Sequence, residues 1–106
     1  MNERRVHRSK KLHEAMTRYL EALRHDRGID ALALSSEDGF IAGSGNVDLE
    51  WMGALGASRR CRELEWDERT LHVQPLQINS ETLYLVAMGS PVRDEGAMEG
   101  IRRILE

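Results

Sequence analysis

Residues 28–45 read G-I-D-A-L-A-L-S-S-E-D-G-F-I-A-G-S-G, and this stretch decides the fold. Ile29 to Ser36 is too short and too evenly apolar for a helix. Leu32 and Leu34 point to one side of a strand, Ala31 and Ala33 to the other, so the strand is covered on two faces. The small residues on one side suit a close approach from whatever packs there. Ser36-Glu37-Asp38-Gly39 makes a turn in which Gly39 can take positive φ. Phe40 to Ser44 returns as the second strand of a hairpin, which Gly43 and Gly45 end.

Upstream, Ser9 to Arg27 has the period of an amphipathic helix. Leu12, Ala15, Met16, Tyr19, Leu20 and Leu23 fall on one face, and Lys11, Glu14, Arg18, Glu21 and Arg24 on the other. Ser9 caps its start, and Gly28 supplies the left-handed residue that stops it. Downstream, Asn46 or Asp48 caps a second helix expected to run to about Leu64. Its apolar residues do not keep to one stripe. Trp51, Met52 and Leu55 fall together, while Leu49, Ala54, Ala57, Cys61 and Leu64 occupy much of the rest, so the helix is expected to be buried on more than one side. Gly53 and Gly56 in its middle cost helix propensity. Either a partner helix packs closely there, or the glycines admit a bulky side chain from the sheet. On the first alternative, Gly56→Arg breaks self-association.

Glu65 to Arg69 is polar and turn-like, with Trp66 out of place in a simple loop. Thr70 to Ile78 is a strand whose buried parity shifts from Leu71 and Val73 to Leu76 and Ile78. Pro75 sits at the shift, and since proline belongs on edges or at bulges, this strand is expected to lie at or near an edge. Asn79-Ser80-Glu81 turns into the strand Thr82–Met88, and Gly89-Ser90-Pro91 ends it. A last helix, about Asp94 to Leu105, puts Ala97, Met98, Ile101, Ile104 and Leu105 on one face, with Asp94 and Glu95 near its N-terminus. The fold class is therefore α+β, an antiparallel sheet with helices on both faces, in the order α-β-β-α-β-β(-β)-α.

The 106 residues, 41% hydrophobic and 31% charged, suit one globular domain over residues 9–106 and argue against disorder. A single cysteine excludes a disulfide scaffold. No apolar run reaches the roughly 18 residues of a membrane span and no secretory signal is visible, which makes the cytoplasm the expected compartment. Arg4, Arg5, Arg8, Lys10 and Lys11 against Glu3 give the first 11 residues +4, so the remainder carries −7 of the net −3. A basic arm over residues 1–8 can touch phosphates or lipid headgroups. The plainer reading is a solvated terminus, because no aromatic residue lies among those cations to stack on a base. No nucleic-acid partner is expected.

Catalytic chemistry leaves little trace. Phosphate-loop, metalloprotease and nucleophile-elbow motifs are absent from the sequence. Gly43-Ser44-Gly45 lacks the third glycine and the parallel crossover of a dinucleotide loop. His7, His13, His25 and His72 form no pair with metal-ligand spacing. Cys61 lies beside Arg59, Arg60 and Arg62, which would favour a thiolate, yet a small packed hydrophobe suits the position better. Neither an enzyme nor a cofactor or metal site is expected. What stands out is a surface for meeting protein: Leu49, Trp51, Met52, Leu55, Gly56, Arg59 and Arg60 are the candidate dimer or partner interface. Trp51 reads equally as a core residue.

Residues 28–45, then D-L-E-W-M-G-A-L-G-A (48–57), T-L-Y-L-V-A-M (82–88) and the final helix, together resemble a roadblock (dynein light chain) domain over nearly the whole chain from Ser9. That family places one more strand between its second and third helices. Either Glu63–Trp66 is a stub of it or this chain has shed it, and in the family that strand joins two sheets across a two-fold axis. The resemblance implies a homodimer, or a heterodimer with another roadblock protein, with second helices packed antiparallel. It further implies a non-catalytic regulator of a small Ras-like GTPase, one that modulates GTP hydrolysis or switch state by positioning the GTPase's own groups. The alternatives are a structural adaptor in a larger complex, or a small-ligand sensor, which lacks an obvious polar cluster to orient a ligand.

Overall fold

The computed structural model of the chain describes residues 10–59 and 62–106. The elements are α1 (Lys10–Arg27), β1 (Ala31–Ser36), β2 (Gly39–Gly45), α2 (Leu49–Arg59), β3 (Glu63–Trp66), β4 (Arg69–Ile78), β5 (Glu81–Met88) and α3 (Glu95–Leu105). The strands form one antiparallel sheet in the order β2-β1-β5-β4-β3. The fold is α+β, and the expected basic arm and the Ser9 cap lie outside the described residues.

Two apolar layers sandwich this sheet. Met16, Leu20 and Leu23 of α1 and Ala97, Met98 and Ile101 of α3 pack on Leu32, Leu34, Leu83 and Leu85. On the opposite face α2 lays Met52 and Ala57 over Ala31, Ala33, Val73 and Val86. β1 is buried along its whole length because it lies between two strands and beneath helices on both faces. α1 stops as its sequence requires: Gly28 takes φ +64°, and the Ile29 N–H returns to the Arg24 carbonyl at 3.0 Å.

The second helix is shorter than its sequence suggests. Leu64 does not extend α2 but lies in β3, which pairs with Arg69–His72 through the turn Asp67-Glu68. The strand that the sequence left open is present, four residues long. Trp66 is half-buried at its end, at the margin of the layer under α2, which accounts for an aromatic residue in so polar a stretch.

Pro75 lies near an edge of the sheet: β4 is one strand in from the outer β3, and its register with β5 runs unbroken from Leu71↔Met88 to Ile78↔Glu81. The buried parity shifts because the helical cover shifts: α2 shelters Leu71 and Val73 on one face, while the α1–α3 layer shelters Leu76 and Ile78 on the other. β3 ends opposite His72, so β4 has a free margin beyond it. The Val73 N–H points to that margin, donating to the Arg62 carbonyl at 2.8 Å. Two residues on, the nitrogen of Pro75 points the same way, and no ladder bond to β5 is lost.

The turn joining β3 to β4 holds Asp67 at φ 53° and Glu68 at φ 62° without a glycine. A left-handed Glu costs roughly 1–2 kcal/mol, partly offset in a Gly variant by a floppier unfolded chain. Glu68 is exposed. Glu68→Gly is therefore expected to stabilise the protein by about 0.5–1 kcal/mol, read as a higher urea midpoint.

Asp94 caps α3, accepting from the Ala97 N–H at 3.0 Å, and pairs with Arg27 at the end of α1. Arg27 and the Ala97 amide hold the Asp94 carboxyl well below the ordinary carboxylate range. A depressed folded-state pKa gives stability that is present above the unfolded value, near 3.9, and lost as pH falls through the folded one. Asp94→Ala should cost about 1 kcal/mol at neutral pH. That difference should close on acidification below the ordinary range, as followed by thermal melts.

Candidate functional site

α2 is the helix of its face, and its two sides differ sharply. Asp48, one of the two expected caps, starts it: its carboxylate accepts from the Trp51 N–H at 3.1 Å and its carbonyl from Met52 N–H at 3.0 Å. Met52, Gly53, Gly56 and Ala57 form the buried side. Glu50, Trp51, Ala54, Ser58 and Arg59 are exposed, and Leu49 and Leu55 are half-buried between the two.

Two of the expected interface residues thus face the wrong way for that role. Met52 is fully buried in the chain's own core. A Cβ on Gly56 would overlap Val86 Cγ2, and one on Gly53 would overlap Ser35 Oγ. The glycines let the helix settle on the sheet, which is the second of the two readings their spacing allowed. Leu49 packs within reach of Gly43, where an added Cβ would lie 3.2 Å from Leu49 Cδ1. Arg60 and Cys61 lie outside the described residues.

What remains on the outside is Trp51, with Leu55 and Arg59 further along the helix. Trp51 is 53% exposed and is the large apolar side chain the fold leaves open among the described residues. Leu55, Leu64 and Trp66 are all half-buried around the same apolar layer, so a skirt of partly covered apolar surface runs from α2 toward β3. An exposed indole beside half-buried aliphatic groups and an arginine has the composition that binding surfaces favour.

Elsewhere the polar groups serve the fold. His13 meets the Ile41 carbonyl at 2.9 Å, and Tyr19 donates to the Ala97 carbonyl at 2.9 Å, its own pKa raised by burial. His72 Nδ1 lies 3.6 Å from Glu63 Oε2. Among the described residues no group of three His, Cys, Asp or Glu side chains is placed to hold a metal ion, and no helix is long and apolar enough to cross a membrane. A hollow of about 550 Å³ between α1 and β2 is lined mainly by Leu12, Met16, Phe40, Ile41 and Leu105, with Lys10 and Glu50 at its margin.

Sequence reasoning missed Arg93. Its guanidinium donates to the Val73 carbonyl and Gln74 Oε1 at 3.1 Å each, and to the Arg62 carbonyl at 3.3 Å. It thereby ties the chain before α3 to the margin of the sheet. An isolated arginine after Pro91 carries no periodic signal that would have disclosed this. No known protein family, curated protein or solved structure matches the chain.

Proposed function

We propose that this chain is a non-catalytic, dimeric regulatory module of the roadblock type, which binds a small Ras-like GTPase and modulates its hydrolysis or switch state. The element order α-β-β-α-β-β-β-α supports the reading, with one helix alone on one face of a five-stranded antiparallel sheet. The observation that carries it is the outward, 53% exposed Trp51 on that helix, since a tryptophan in the open is a frequent anchor of protein–protein association. Leu55 and Arg59 extend the surface, and a second copy or a related chain packs its own second helix there.

The GTPase half of the proposal is tested with a small Ras-like GTPase from the same source. Adding the protein should change the rate of GTP hydrolysis or capture the GTP-loaded form in preference to the GDP-loaded one. An unchanged rate with no complex in either nucleotide state would transfer the assignment to a structural adaptor.

A further inference from the structure

The hollow of about 550 Å³ between α1 and β2 has the size of a small-molecule site, ~300–1,000 Å³. Its lining comes from all three helices and from the outer strand β2. Met16 and Ile41 are fully covered by the fold, but Leu12, Phe40 and Leu105 are only half-buried, so apolar surface stays open along the recess. Four of these five side chains are aliphatic or a flexible thioether, a wall that suits an alkyl chain.

Three polar groups border this recess without serving the fold. Lys10 and His13 lie three apart on α1, hence on one side of that helix, while Glu50 comes from α2 on the other face of the sheet. Among the described residues, no hydrogen bond or ion pair engages the Lys10 ammonium, the Glu50 carboxylate or the Nε2 of His13. His13 is held by its other nitrogen, whose N–H donates to the Ile41 carbonyl at 2.9 Å. That bond fixes the ring and leaves Nε2 as the nitrogen open to a ligand. The charges also set a direction. An anionic head is drawn to the Lys10 and His13 wall and turned away from Glu50.

We propose that this hollow binds a medium-chain fatty acid, with its carboxylate on Lys10 and His13 and its alkyl chain along Leu12, Phe40 and Leu105. The cluster that orients the ligand was hidden in the sequence because its members come from two helices. The site is separate from the outer side of α2, so the inference goes beyond the dimer and GTPase readings and depends on neither.

The test titrates the full chain with decanoate, below its micelle threshold, by isothermal titration calorimetry. Saturable binding at one site per chain is expected. Affinity should rise about three- to four-fold per methylene from hexanoate through octanoate to decanoate, as alkyl surface leaves water. Decylamine should bind more weakly than decanoate. Lys10→Glu should weaken decanoate about ten-fold and reverse that preference. Lys10 is exposed, and Lys10→Gln, with a smaller loss of decanoate, serves as a second variant if circular dichroism shows the first misfolded. Trp51→Asp should bind decanoate as the parent does, which separates the hollow from the proposed interface. Absence of saturable binding, a flat response to chain length, equal affinity for decanoate and decylamine, or a loss that follows Trp51→Asp rather than Lys10→Glu overturns the inference. Each of these results leaves the dimer and GTPase readings standing.

Discussion

Gly56→Leu is expected to cost about 3 kcal/mol or more and to lower the melting temperature by at least about 12 °C. Gly56 sits in the buried side of α2, where even a Cβ overlaps Val86 Cγ2 on the central strand β5. Neither partner has room to retreat. Gly53 holds the preceding turn of the helix against Ser35, and Val86 is fully buried. The helix-propensity gain from removing a glycine, about 1 kcal/mol, is smaller than the overlap. Thermal melts at several protein concentrations should show the same loss at each, because the damage lies inside one protomer. Val86→Ala in the Gly56→Leu background should recover part of it, whereas additive losses would contradict the contact.

Trp51→Asp should do the reverse. Its indole is more than half exposed, and an aspartate three residues after the Asp48 cap sits in the first turn, where negative charge suits the helix. Stability of the isolated protomer should therefore move by no more than about 0.5 kcal/mol. Association should weaken by about 30-fold or more, the scale at which a central tryptophan contributes to an interface. Sedimentation velocity would read the second effect and melts the first. A variant that associates as the parent does would remove Trp51 from the interface.

These two residues, five apart on one helix, show how much was legible in the sequence. The period-two and 3.6-residue patterns of β1, β5, α1 and α3 placed those elements closely, because each packs an uninterrupted apolar face on a neighbour, whereas β2, whose register to β1 shifts, was placed by the turn before it. α2 was legible as a helix apolar on too many sides, but not in its orientation. A glycine pair three apart suits a partner helix and a sheet equally well, and only the position of Val86 beneath Gly56 decides between them. Met52 followed the same ambiguity into the core. β3 was ambiguous because Glu-Leu-Glu-Trp is one short alternation that also fits the end of a helix. Its turn takes left-handed backbone at Asp67 and Glu68 without the glycine that usually announces it. Pro75 was a sound marker of a missing donor. It marked the bare flank of an inner strand rather than an outer one, since β3 covers only the first part of β4.

Tertiary polar contacts were the least legible. Arg93 on the Val73 carbonyl and Arg27 on Asp94 join residues 20 and 67 positions apart, and no local pattern encodes such a distance. Both arginines close ends of elements that periodicity had already placed.

The proposed regulatory role requires above all that the outer side of α2 be covered by another chain. Sedimentation equilibrium of the unmodified protein at micromolar concentration tests this most directly. The prediction is a reversible species of twice the 12.1 kDa chain mass, reduced to the single mass by Trp51→Asp. A single-chain mass for the parent and the variant alike, across the whole concentration range, would contradict it.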